Sequence, residues 1–163
     1  MKLLLRFKNI TQNFYYVIRT SLPPRMSKER LGEVLKELTY EHFIFNRRVD
    51  ELINLLEKEP AKAVSDFFTF FKKLLIPHFQ REERDAFPLI LELKPEKEGL
   101  IRELIEEHKN FQSEVTSFEG SLKELDETQK TRAKHLIGWH KQHILKEGPL
   151  FQLVLEEFLK RGK

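Results

Sequence analysis

Two short stretches decide how this chain reads: His78-Phe79-Gln80-Arg81-Glu82 and His143-Ile144-Leu145-Lys146-Glu147. Each sets an imidazole and a carboxylate four residues apart, so that in a helix both project from one face, one turn apart. Such a pair is ordinary on a helix surface. These two are not at surface positions, because the residues on either side continue an apolar stripe through them. Val64, Phe67, Phe71 and Leu75 lead to His78 and Glu82, then Ala86 and Leu89; Leu136 and Trp139 lead to His143 and Glu147, then Leu150, Val154 and Phe158. Steps of three and four residues mark the buried seam of an amphipathic helix.

Two further runs share the pattern. Leu31, Leu35, Leu38, His42, Phe45, Val49, Leu52 and Leu56 form the first and stop at Glu59-Pro60. Ile101, Leu104, His108, Phe111, Val115, Phe118, Leu122 and Leu125 form the third, with Pro95, Glu96 and Glu98 suited to a helix start. Asp126 and Gln129 have capping-box spacing and should open the fourth run, which Gly148-Pro149 should kink. Four helices of ~25–35 residues joined by short connections predict an all-α, up-down-up-down antiparallel four-helix bundle.

The polar interruptions are the informative part. His42, His78, Glu82, His108, His143 and Glu147 all occupy seam positions, and burying six ionisable groups unpaired would exceed a domain's net stability. Their depths match. His42 lies 16 residues before Lys58 and His78 lies 16 after Lys62; His108 lies 16 before Glu124 and His143 lies 16 after Glu127. The step from the second helix to the third is rougher, 15 residues up to Leu93 and 12 down from Glu96, a mismatch of about one turn at ~1.5 Å per residue. A shared metal, or a pair bridged by the two carboxylates, resolves the burial cost. Nitrogen and oxygen donors without sulfur suit iron, manganese or zinc, and a dinuclear site with open positions suits iron that handles dioxygen or related molecules.

The whole chain sets the frame. Its 163 residues allow one domain with a proper core. Charged residues at 34% and apolar ones at 40%, with few glycines and prolines, fit a surface-charged helical protein and argue against a turn-rich β fold. The lack of cysteine excludes disulfides, thiolate metal sites and Cys nucleophiles, and a cytoplasmic location is expected. The formal charge of +3 is uneven: residues 1–25 hold five bases and no acid, leaving 24 bases against 26 acids, a net of −2, in residues 26–163. That body is no nucleic-acid-binding domain on charge grounds. Residues 1–25 are expected to be a basic extension or accessory helix, and residues 26–163 the bundle. Met26, ahead of the first strong helical pattern, offers an alternative translation start. No apolar run reaches the ~20 residues that span a membrane.

In order, Glu41-His42, His78 to Glu82-Glu83 with Phe87-Pro88-Leu89, Glu107-His108, and His143 to Glu147 with Leu150-Phe151 make the chain resemble the hemerythrin-like (HHE cation-binding) proteins over about residues 28–160. The resemblance implies the hemerythrin bundle and a non-haem di-iron centre, with His42, His78, Glu82, His108, His143 and Glu147 as its protein ligands. Zinc and manganese rank behind the two irons. The implied partner is dioxygen or another small ligand such as nitric oxide or peroxide, bound or sensed rather than turned over. Iron storage or donation, iron–sulfur repair, and a metal-stabilised interaction module are the alternatives.

The chain departs from the oxygen carriers of that family. Gln112 stands where they have a second third-helix histidine, and the last motif is His-x-x-x-Glu in place of their His-x-x-x-x-Asp. One iron is therefore expected to be under-ligated, or completed by water, by Gln112 or by Glu83. The ferritin-like alternative requires Glu-x-x-His, yet Thr39, Leu75, Ile105 and His140 precede the four histidines by three residues. His140, two turns before Glu147 on nearly the same face, is expected at a helix boundary or surface, with a hydrogen-bond donor behind the site or a substitute ligand as the alternative, and His135 is expected in solvent. Phe45, Phe71, Phe111, Phe118 and Trp139 are expected to pack the core.

Overall fold

A computed structural model of the protein describes residues 28–161. The extension expected at residues 1–25 and the start at Met26 lie outside these residues. Helix α1 is Lys28–Lys58, α2 spans residues 60–93, α3 is Glu98–Ser121 after a short tight turn at Pro95–Lys97, and α4 is Glu127–Arg161. There is no strand among the described residues.

The ends follow local chemistry. Pro60 sits in the first turn of α2, where its missing N–H costs nothing. Asp126 caps α4 by accepting the Gln129 N–H at 2.8 Å. Helix α3 stops at Ser121, so Leu122 and Leu125, expected on its seam, pack against the core from the connecting loop instead. Gly148-Pro149 does not end α4, which continues to Arg161.

Ion pairs between helices read out the direction of packing. Glu57 meets Lys134 and Asp50 meets Lys141, so the same seven-residue step runs down α1 and up α4. Arg48–Asp66 and Arg81–Glu37 set α1 against α2 in the same sense, and Lys72–Glu119 with Glu83–His108 does so for α2 and α3. The result is the antiparallel four-helix bundle. No described helix is long and apolar enough to cross a membrane.

Helix α2 contains two widened turns, Phe71–Leu75 and Glu82–Ala86, where the N–H of Ile76 reaches the carbonyl of Phe71 and that of Phe87 reaches Glu82. Pro77 and Pro88 each stand two residues beyond their ends. A proline lacks its N–H and presses on the carbonyl four residues back, and an extra residue in the preceding turn relieves both. The second widened turn also shifts the buried face: beyond Ala86 it continues through Phe87, Ile90 and Leu91, while Leu89, expected on the seam, is only half-buried. The extra residue shortens the climb from His78 to Leu93, which helps close the mismatch in depth between α2 and α3.

The core falls into two apolar clusters. One gathers Phe45, Leu52, Phe67, Phe71, Phe79, Phe111, Phe118 and Leu136; the other gathers Leu35, Leu38, Phe87, Ile90, Leu104 and Phe151. Between them lies a polar layer.

Candidate metal centre

Each helix contributes to that layer: His42 from α1, His78 and Glu82 from α2, His108 from α3, and His143 and Glu147 from α4. All six side chains are buried, with Glu82, His108 and Glu147 at 0% exposure. Their donor atoms form two groups, each within 4.8 Å: His42, His78, Glu82 and Glu147 in one, and Glu82, His108 and His143 in the other. Glu82 belongs to both. Its Oε1 lies 2.7 Å from His78 Nε2 and 3.2 Å from His42 Nε2, while its Oε2 lies 3.4 Å from His108 Nε2. Glu147 also stands between them, its Oε2 3.3 Å from His42 Nε2 and 3.5 Å from His143 Nε2. Glu82 Oε1 is hydrogen-bonded to His42, whereas among the described residues both Glu147 oxygens and Glu82 Oε2 lack a hydrogen-bond partner.

An outer ring of carboxylates fixes the histidines. His78 Nδ1 donates to Glu41 at 2.6 Å, His108 Nδ1 to Glu83 at 2.8 Å, and His143 Nδ1 to Glu107 at 2.9 Å. A carboxylate at Nδ1 holds the ring proton there and turns the Nε2 lone pair inward. His108 Nε2 and His143 Nε2 nonetheless lie 2.9 Å apart, as do His42 Nε2 and His78 Nε2. Two inward lone pairs at that distance repel unless a proton or a metal ion lies between them. A metal ~2.1 Å from each of two nitrogens at right angles would set them about 3 Å apart. The donor set therefore fits a bound cation on each side of Glu82.

The outer acids come from neighbouring sequence positions by helix geometry. Glu41 and Glu107 each precede an inward histidine and so point about 100° around the helix, toward the next one. Glu41 is held by Arg81, which also pairs with Glu37 at 2.7 Å; Glu107 is held by Lys146, which also pairs with Glu103 at 2.7 Å. Aromatic faces clamp the rings: His108 stacks on Phe79 at 4.1 Å, His143 on Trp139 at 4.8 Å, and His42 on Phe151 at 5.6 Å.

Charge in the metal-free layer is shared unequally. Burial would raise Glu82, but the charge of His78 and the hydrogen bonds of His42 and His78 outweigh it and hold this carboxyl well below the usual range. Burial and then the neighbouring Glu82 push Glu147 up to about 7. His78 rises to about 9 against the pull of burial, through Glu82 and Glu41. His143 falls to about 4, through burial and the charge of His108.

Some expectations change. Glu83, considered for the open position, faces His108 Nδ1 and orients that ring from outside. Gln112 is half-buried one turn beyond His108. His135 is exposed, as expected. His140, expected at a boundary or surface, is 1% exposed. The α4 seam runs Leu136, His140, His143, Glu147, and Trp139 beside it is the half-buried one. Phe45, Phe71, Phe111 and Phe118 pack in the core as expected, and Phe45 also lies edge-on to His78 at 5.0 Å. The outer acids Glu41 and Glu107 had no assigned role in the sequence reading, although the repeated Glu-His pair was their signal.

The family model described as the hemerythrin HHE cation-binding domain matches residues 24–151. The chain belongs to this hemerythrin-like family. No curated protein and no solved structure matches it. The match spans most of the bundle and carries the Glu-His pair at 41–42 through the His-x-x-x-Glu motif at 143–147, so this hemerythrin-like chain is a metal-binding protein with buried His and Glu donors.

Proposed function

We propose that this hemerythrin-like chain is a non-haem di-iron protein that binds or senses dioxygen or a related small ligand such as nitric oxide or peroxide. His42, His78, Glu82, His108, His143 and Glu147 would hold the metals, with Glu82 common to both donor groups. The observation that carries this reading is the division of donors into two groups that share Glu82. A single structural ion would need one such group.

Two irons held there supply reversible electron exchange with a small ligand. The protein supplies the surroundings. Glu41, Glu83 and Glu107 keep three imidazoles in the metal-binding tautomer. Phe79, Phe87 and Phe151, all at or below 1% exposure, exclude water from the layer. The sulfur-free donor set suits iron, manganese or zinc, and the resemblance to the hemerythrins ranks iron first. A cytoplasmic location is part of the same reading.

Metal analysis of protein purified from iron-supplied cells, with optical spectra before and after oxygen, tests it. The expected result is about two irons per chain and a charge-transfer band on oxidation. One metal per chain with no optical response to oxygen or nitric oxide would contradict it.

A further inference from the structure

His140 is buried in α4 one turn before His143, and among the described residues neither of its ring nitrogens has a hydrogen-bond partner. Its ring centre lies 6.1 Å from that of His42, 6.2 Å from His78 and 6.4 Å from His143, so it faces the polar layer from the side of the Phe45 and Phe79 cluster. Phe45 and Phe79 wall it at 5.6 and 6.3 Å. Charged or neutral, an imidazole carries at least one N–H. A buried donor without a partner is costly, and a phenylalanine of similar size would fill the same space without that cost.

His140 is set too far back to be a ligand. Ring pairs whose Nε2 atoms converge, His42–His78 and His108–His143, have centres 4.8 and 4.7 Å apart. The His140 distances all exceed 6 Å, and its nitrogens join neither group of donor atoms.

We infer that His140 donates a hydrogen bond to the small, hydrogen-bond-accepting ligand held at the centre, and so sets its affinity and orientation. This rests on the di-metal reading above. His140 is a positioning residue toward that ligand; it holds no metal and its loss should leave metal content intact.

The test uses the full iron-loaded chain with azide as probe, comparing wild type with His140→Phe, His140→Leu and His140→Gln. Iron content and helicity should match wild type in all three. The azide Kd should rise about tenfold in the Phe and Leu variants and by less in the Gln variant, which keeps an N–H donor. The asymmetric stretch of bound azide should shift in D2O for wild type but not for the Phe variant. An unchanged Kd and an unchanged isotope shift at full iron content would overturn the inference, and so would loss of an iron in all three variants, which would make His140 a ligand. Wild-type protein that takes up no metal would overturn the di-metal reading, and this inference with it; the iron assay separates that failure from the others.

Discussion

The two halves of the polar layer are built differently. Around His108 and His143, both rings are backed by a carboxylate and both stack on an aromatic face, Phe79 and Trp139. Around His42 and His78, only His78 has a carboxylate at Nδ1, and His42 is held by the looser stack on Phe151. The second half has more donors, since Glu147 joins its group, and it shares with His143 the face that His140 overlooks. One half is rigidly oriented with few donors; the other is donor-rich with one ring less constrained. A pair of metals in such a layer would be inequivalent, with asymmetry set by second-layer residues as much as by ligands.

The shared residue offers the largest break in this comparison. Glu82→Ala should take metal content from about two ions per chain to fewer than about one, because both groups lose a donor; metal analysis alongside circular dichroism checks it. Phe79→Ala should follow. It removes a fully buried ring under His108 and is expected to cost roughly 3–5 kcal/mol in denaturant unfolding. Glu107→Gln should weaken metal binding by about 10–100-fold, acting on the His143 side, and the double variant Glu83→Gln/Glu107→Gln should lose more than Glu41→Gln. Equal losses from the two sides, measured by competition with a chelator, would erase the proposed difference. Acid should act on the donor-rich half. Metal must displace the proton that Glu147 holds up to about 7 and the one that His78 holds up to about 9. Both sites are proton-loaded below those values, so affinity should fall as pH falls, by about tenfold per unit for each proton displaced. It should therefore steepen below about 7.

Much of this was legible in the sequence because burial and helical period constrain each other. Four apolar seams, the break at Glu59-Pro60, the cap at Asp126 and the six polar interruptions all follow from spacing alone. Three features did not. The widened turns ahead of Pro77 and Pro88 insert a residue into the period, so the half-buried Leu89 looked like a core position. Trp139 and His140 are adjacent on α4, and hydropathy favours the wrong one as the seam residue; only packing distinguishes them. The outer acids require knowing which helix lies beside which. Glu41 and Glu107 gain a role only when α2 and α4 are set against them.

Anomalous diffraction at the iron edge, on crystals of the iron-loaded chain, tests the central claim most directly. Two peaks should flank the Glu82 carboxylate, one beside His42 and His78 and the other beside His108 and His143. A single peak, or peaks away from these six residues, would contradict the account.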